Sequence, residues 1–321
     1  MIANVSINES MTNNSRDILT KEIIARCSGR LIENEPLSGH THFGLGGPAN
    51  LFFSPADTDD LTALIPLLID SDVPVLALGG GTNMLVRDSG FRGLVICLTP
   101  GAASMAIESD QAIVQAGASY QVLSRRCQRL GRSGMEFACG IPGTVGGAIW
   151  GNAGAWGGET MDRLIWLAGV NLETGHEVRL TQNEIPYRYR KTDLPAHTLV
   201  VEAGFRLRED EPEAIQVRMD EMLAQRKATQ PLWERNAGCI FKNPSDASAG
   251  MLVDQAGCKG FTVGSVSVSE VHANFMVNTG QGSAEDAIEL IARVRSKVKE
   301  TSGIDLETEV RILGENGFEQ H

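Results

Sequence analysis

Glycine placement in this chain calls for a chemical reason. There are 35 glycines in 321 residues, about 11% against a usual ~7%, with no collagen-like period, so the excess sits in particular turns. The densest run is Glu136-Phe137-Ala138-Cys139-Gly140-Ile141-Pro142-Gly143-Thr144-Val145-Gly146-Gly147-Ala148, continued by Gly151-Asn152-Ala153-Gly154-Ala155-Trp156-Gly157-Gly158. Bare main chain at Gly140, Gly143, Gly146 and Gly147 gives a surface on which a flat ring or a diphosphate can lie. Close packing of chain on chain is the competing explanation, and a run this dense favours the ligand. Such density also predicts that no continuous helix or strand passes through 140–158.

Two further clusters carry the same chemistry more weakly. Gly79-Gly80-Gly81-Thr82-Asn83 follows an apolar stretch read as a buried strand. Successive unhindered N–H groups there can converge on a pyrophosphate, and a tight turn requiring positive φ explains the run equally well. Gly44-Leu45-Gly46-Gly47-Pro48-Ala49 superficially fits the G-x-G-x-x-A dinucleotide pattern. That reading fails, because Pro48 falls where a helix should be running, the loop precedes its strand, and no acidic residue closes a tidy unit about 20 residues on. A backbone approaching a ligand remains open at Gly44, Gly46 and Gly47. His40 and His42 lie near each other but have no cysteine or acidic partner in the pattern, so no metal site is expected. There is no G-x-x-x-x-G-K-[ST] string and hence no support for nucleoside triphosphate hydrolysis.

Composition narrows the partners. A formal net charge of −12 argues against nucleic acid and anionic membrane, which demand a basic footprint. Small anionic ligands remain compatible, since a few N–H groups and one or two cations can hold a phosphate. The six cysteines form no C-x-x-C pair and are expected as free thiols in a reducing compartment. No apolar run approaches the ~20 residues a spanning helix requires. The polar opening, residues 1–16, reads as a disordered leader and not a secretory signal, so a cytoplasmic protein is expected.

The elements that must position these clusters follow from periodicity. Ile18, Leu19, Ile23, Ile24, Cys27 and Leu31 recur at helical spacing and predict a first helix running to Leu31. A strand is expected over 50–53, a helix capped by Asp57 through Ile69, and a strand over 73–78 leading into Gly79. Strands follow over 93–98 and 112–116. A helix over 119–131 should bury Val122, Leu123, Cys127 and Leu130. Beyond the glycine run, antiparallel strands are expected over 164–171, 177–180 and 198–208, then helices over 213–227 and 284–301 and a final strand over 306–313. The charged run ending in Pro212 marks a boundary.

The strings EFACGIPGTVGGA and GNAGAWGG resemble the UDP-N-acetylenolpyruvoylglucosamine reductase family, also called UDP-N-acetylmuramate dehydrogenases. Six other strings keep the family's order: HFGLGGPA, GGGTNMLV, the Y-R-x-[ST] string at Tyr189 to Thr192, AGCIFKNP, HANFMVN and LETEVR. The likeness runs from about Pro36 to Gly314. It implies an α+β fold, with a two-lobed FAD-binding domain of the vanillyl-alcohol-oxidase/PCMH type and a C-terminal α/β substrate domain. On this sequence those fall at 17–98 and 99–209 for the lobes and 210–315 for the substrate domain, with 316–321 as a tail. Without a tyrosine-bearing insertion after Thr192, the chain resembles the family's shorter type.

The resemblance also implies a reaction in bacterial peptidoglycan precursor synthesis. FAD, held without a covalent bond, accepts a hydride from NADPH at N5 and passes it to the enolpyruvyl ether of UDP-N-acetylglucosamine. Such a reduction needs a hydride carrier, a proton donor and a carboxylate clamp. By resemblance Arg190 is the clamp; Arg188 and Lys191 beside it make a surface ion pair the alternative. Glu309 matches the catalytic glutamate, although Glu307 and Glu309 share one face of the expected final strand and spacing alone would leave both solvated. Cys239 stands where the family's usual motif has the serine that protonates the enolate. A thiol, with an ordinary pKa near 8.5, gives up its proton more readily than an alkyl hydroxyl.

Flavin contacts are implied for Gly44, Gly46, Gly47, Gly79, Gly80, Gly81, Thr82, Asn83, Gly140, Ile141, Pro142, Gly143, Thr144, Gly146, Gly147, Asn152, Ala153 and Gly154. Thr229 replaces a family lysine before Gln-Pro, so Lys227 or Lys242 is left to supply the charge near substrate. Asn243, His272 and Asn274 complete the expected substrate contacts. The partners implied are the UDP-sugar and NADPH alone, on a monomer or weak homo-oligomer. Two rival readings are a flavin oxidase or dehydrogenase acting on an alcohol or sugar, and a non-catalytic nucleotide-sugar binding protein.

Overall fold

The computed structural model describes residues 13–99 and 101–319. The chain forms two compact units, neither continuous in sequence. The first takes residues up to Glu35, Asn50–Gly80 and Arg92–Ala224; the second takes Pro36–Ala49, Gly81–Phe91 and the chain from Gln225 onward. The sequence places its boundaries at 98/99 and 209/210. One buried apolar cluster instead runs from Leu19 to Leu207, so the first boundary does not interrupt the core, and two loops of the N-terminal half belong to the second unit.

In the first unit, a four-stranded sheet has the order Arg30–Pro36, Pro48–Ser54, Phe91–Cys97, Val75–Leu78. Val75–Leu78 lies parallel to Phe91–Cys97, from Val75 opposite Leu94 to Leu78 opposite Cys97, and all four of its residues are buried. That is why it reads as an unbroken apolar run. The helix Thr58–Ile69 leads into this strand; Asp57 caps it by accepting from the N–H of Asp60 at 3.0 Å. A five-stranded antiparallel sheet follows, ordered Glu177–Thr181, Leu164–Asn171, Thr198–Arg206, Gln111–Gln115, Met105–Ile107.

Three expectations change here. The first helix, Asn13–Arg26, stops five residues before Leu31. Ser28 donates from its N–H and its hydroxyl to Asp60 Oδ1 at 2.8 and 3.0 Å, which draws the chain off the helix axis. Gly29 then passes so close to Ser54 that a Cβ would strike its carbonyl, and Leu31 enters the strand Arg30–Pro36. The helix Tyr120–Arg129 buries Leu123 and Cys127 with Tyr120 and Ser124, but leaves Val122 and Leu130 45% and 55% exposed. Its core stripe is centred about 150° away from Val122. Within the glycine run a short helix does form, Val145–Trp150, because Thr144 caps it and Val145, Ala148 and Ile149 bury its inner face. Of the expected leader, residues 1–12 lie outside the described residues and 13–16 are helical.

The second unit is built on an antiparallel sheet ordered Arg235–Cys239, Phe275–Asn278, Val266–Val268, Thr262–Val263. A smaller sheet pairs Arg311–Gly314 with Met84–Val86 in parallel and with Gly317–Phe318 antiparallel, so the expected tail is part of the fold through Phe318. The helix Ala284–Ser302 buries Ala284, Ala287, Leu290, Ile291, Val294 and Val298 at the i, i+3, i+4, i+7 spacing of an amphipathic helix. Ser283 and Asp286 form a capping box, Asp88 accepts from the N–H groups of Ala284 and Glu285 at 3.0 and 3.3 Å, and Gly303 ends the helix at φ 74°. The final strand is shorter than the expected 306–313. Residues 306–310 are irregular apart from one bridge between Phe241 and Thr308.

Candidate active site

The glycine run of the first unit brings main chain against main chain. Gly79, at the end of Val75–Leu78, lies so close to Thr144 that a Cβ would meet its hydroxyl; two clusters 65 positions apart thus touch. Gly143 has φ 109° and its carbonyl accepts from Tyr120 N–H at 3.0 Å. The N–H groups of Val145 and Gly146 donate to Ala118 and Ala116 at 2.9 and 2.8 Å, and that of Gly147 to Thr144 Oγ1 at 3.3 Å. The N–H groups of Gly146 and Gly147 are therefore already committed.

Asn152 is fully buried at φ 41°, a left-handed backbone that asparagine tolerates better than most residues. Its Nδ2 donates to Glu159 Oε2 at 2.7 Å and to the Arg188 carbonyl at 3.2 Å, while its Oδ1 accepts from Met161 N–H at 3.1 Å. The side chain is thus engaged within the unit. Arg188 and Lys191 are paired in a short hairpin whose two-residue turn is Tyr189-Arg190. Arg190, the second residue of that turn, adopts a left-handed φ of 58°, with its guanidinium 4.8 Å from the Tyr189 ring centroid. Thr192 donates from its hydroxyl to the Ile149 carbonyl at 2.6 Å. Arg188 and Lys191 both pair with Asp193, at 2.7 and 3.2 Å.

Cys239 and Glu309 come together in the second unit. Glu309 N–H donates to the carbonyl of Ile240, the residue after Cys239, at 2.7 Å. The strand Arg235–Cys239 skips register between Asn236 and Cys239 against Phe275–Asn278, and Gly238 supplies φ 77° at this irregularity, a conformation that suits glycine. Cys239, next to it, is half-buried. Asn83, expected in the phosphate nest, donates from Nδ2 to the Glu309 carbonyl at 3.3 Å, and its own carbonyl accepts from Arg311 N–H at 3.2 Å. Gly81 packs so closely on His40 that a Cβ would strike its carbonyl, as Gly47 does on Asp88. Gly44, at φ 69°, leaves the space in which Arg235 lies, 3.0 Å from where a Cβ would be.

The remaining expected substrate contacts divide. Lys242 is paired with Glu307, and Asn243 Oδ1 accepts from Ala249 N–H at 2.9 Å, positioning the helix Ala249–Gln255. Asn274 is buried, with Oδ1 accepting from Phe241 N–H and Nδ2 donating to its carbonyl at 2.9 and 2.8 Å. This amide fixes the strand that carries Cys239. His272 packs edge-on to Phe275, and burial holds its imidazole below the ordinary histidine range and so neutral at neutral pH. Lys227 is exposed in the last turn of the helix Pro212–Thr229. No group of metal ligands occurs among the described residues, and none of their helices is long and apolar enough to cross a membrane.

Sequence reasoning missed a shallow groove of about 640 Å³ in the second unit, lined by Trp233, Arg235, Thr262, Ser267, Ser269 and Glu270 among others. Trp233 there is 88% exposed, and a tryptophan just after Pro231 in a non-periodic stretch was the available signal.

Residues 49–181 match the FAD binding domain, and residues 230–313 match the C-terminal domain of UDP-N-acetylenolpyruvoylglucosamine reductase. The chain is 41% identical over 299 residues to the UDP-N-acetylenolpyruvoylglucosamine reductase of Geobacter sulfurreducens, covering 93% of this chain and 99% of that protein. It is 43% identical over 294 residues to reductase 2 of Symbiobacterium thermophilum, covering 91% and 95%. Among solved structures, that of the Thermus caldophilus reductase superposes with a TM-score of 0.76 at 33% identity, covering 88% of this chain and 98% of the other. With its FAD binding domain and its α+β elements, the chain belongs to the UDP-N-acetylenolpyruvoylglucosamine reductase family.

Proposed function

We propose that this flavin-dependent oxidoreductase uses NADPH to reduce the enolpyruvyl ether of UDP-N-acetylglucosamine to UDP-N-acetylmuramate in the cytoplasm, with Cys239 as proton donor and Arg190 and Glu309 stabilising the developing enolate. The observation that carries the reading is the hydrogen bond from Glu309 N–H to the carbonyl next to Cys239. It ties the backbone of Glu309 to the residue after Cys239, across chain segments 70 positions apart, which supports a shared role for the two.

The residues fit the cofactor by their donor chemistry. Neither Gly79-Gly80-Gly81-Thr82-Asn83 nor Gly140-Ile141-Pro142-Gly143-Thr144 contains an acidic side chain, so both offer main chain and hydroxyl to a diphosphate. Bound FAD supplies hydride transfer. In this reading residues 17–98 and 99–209 hold it, and 210–315 receive the UDP-sugar.

The chain's own groups do the acid–base and electrostatic work. Charge developing on the substrate carboxylate as the alkene is reduced is stabilised by the guanidinium of Arg190, whose fork of N–H donors matches a carboxylate. In this reading the thiol of Cys239 supplies the proton to the alkene carbon. Glu309 holds a second proton near the same charge. The reading requires Arg190, from the first unit, to serve the same substrate as Cys239 and Glu309.

Anaerobic spectroscopy tests this. The purified protein should be yellow, bleach with NADPH, and recolour on addition of the enolpyruvyl UDP-sugar. Rapid recolouring by oxygen with no response to that sugar would favour an oxidase, and a colourless protein would remove the flavin altogether.

A further inference from the structure

Arg190 occupies a short hairpin that is largely exposed. Tyr187 and Tyr189 are 40% and 42% exposed, the pairing amounts to Tyr187 with Thr192 and Arg188 with Lys191, and Arg190 is held at φ 58°. A left-handed backbone is strained for a non-glycine residue and persists only where the surroundings over-determine it. Two anchors do so. Asn152 donates to the Arg188 carbonyl on one side of the turn, and Thr192 donates to the Ile149 carbonyl on the other. Both reach the same short segment, the helix Val145–Trp150 and the residues just after it.

Asn152 is suited to nothing else. Its side chain is fully buried, its Nδ2 hydrogens go to Glu159 and Arg188, and its Oδ1 takes Met161 N–H. An amide is the group that can donate twice and accept at once in this space. An isosteric carboxylate would face Glu159 and a carbonyl with no proton to give.

We propose that Asn152 is a positioning residue for Arg190, fixing the turn that aims the guanidinium and making no contact with flavin through its side chain. The inference rests on the reading of Arg190 as the carboxylate clamp. An error of about 1 Å in placing a catalytic group can cost 10²-fold in rate, so loss of the anchor should be felt in one half-reaction.

Stopped-flow measurement of the two half-reactions on the flavin-loaded enzyme tests it, using Asn152→Ala, Asn152→Asp, Asn152→Gln, Arg190→Ala and the Asn152→Ala/Arg190→Ala pair. Asn152→Ala is expected to leave flavin reduction by NADPH within about 3-fold of wild type. Reoxidation by the enolpyruvyl sugar should slow by roughly 10- to 100-fold. Asn152→Asp should be at least as slow, and Asn152→Gln, too long for the site, should not rescue. On the Arg190→Ala background, Asn152→Ala should add less than about 2-fold, because residues acting as a unit are non-additive. Independent, multiplying effects would overturn the positioning role, as would a loss of bound flavin in Asn152→Ala. If Arg190→Ala itself reoxidises at the wild-type rate, the clamp reading fails first; if it is slow while Asn152→Ala is not, only this inference fails. Thr192→Val gives a second variant should Asn152→Ala not fold, with the same selective effect expected.

Discussion

Asn83 and Glu309 stand 226 positions apart, and the amide Nδ2 of one donates to the backbone carbonyl of the other at 3.3 Å. The bond joins a residue of the Gly-Gly-Gly-Thr-Asn turn to the expected catalytic glutamate. Asn83→Ala should cost about 1 kcal/mol of stability, the usual worth of one hydrogen bond, visible as a lower urea midpoint. Its effect on the sugar half-reaction should exceed its effect on reduction by NADPH. Equal slowing of both would assign Asn83 to the cofactor alone.

Cys239 offers a cleaner separation. If its thiol is the acid, Cys239→Ala should leave flavin reduction by NADPH nearly intact and slow the sugar half-reaction by roughly 10²-fold or more. Cys239→Ser should retain substantial activity, since a hydroxyl can occupy the same role. A dead serine variant with intact flavin reduction would mean that the thiol does something a proton donor does not.

What the sequence disclosed follows the range of the forces involved. Asp57 as a cap and the buried strand before Gly79 were legible, because capping and burial write themselves into adjacent residues. Leu31 was misplaced because Asp60, 29 positions on, holds Ser28 out of the helix. The short helix Val145–Trp150 was hidden because Ala118 and Ala116 satisfy its first N–H groups, a tertiary contact that no local propensity records. The same distance governs the site. Cys239, Arg190 and Glu309 were singled out by the strings they stand in, whereas the hydrogen bonds of Asn152, Asn83, Asn243 and Asn274 were not legible, since an asparagine in a string says nothing of which backbone it bonds. Arg235, resting where Gly44 has no Cβ, gives that glycine a packing reason alongside the ligand reason.

Acid should loosen the first unit through Glu136. Burial alone would raise its pKa, but the guanidinium of Arg218 at 2.8 Å, the Ser133 hydroxyl at 2.8 Å and the N–H of Gly134 at 2.7 Å outweigh burial and hold it below the usual carboxylate range. A carboxylate whose folded pKa is depressed contributes stability that is present above the unfolded value, near 4.3, and lost as pH falls through the folded value. Urea midpoints measured from pH 7 to pH 3 should therefore decline below about 4.3. Glu136→Gln should be less stable at pH 7 and show a shallower decline, and parallel curves would remove Glu136 from the account.

The thiols should separate by reactivity. The nucleophile in alkylation is the thiolate, so both access and pKa count. Cys127 is buried, and burial, with the charge of Glu136 adding to it, pushes its pKa up to about 12. Cys258 is buried and raised by burial. Cys27 is half-buried, and burial and then Asp60 raise it as well. Cys239 is half-buried beside Gly238. Brief iodoacetamide treatment of the folded flavoprotein at pH 8, followed by peptide mass spectrometry, should label Cys239 first, Cys27 more slowly, and Cys127 and Cys258 only after denaturation. Because the proposed substrate must lie against the Cys239 thiol, saturating enolpyruvyl UDP-sugar should slow labelling there about tenfold while leaving Cys27 unchanged. Full labelling of Cys239 under saturating sugar would place the substrate elsewhere.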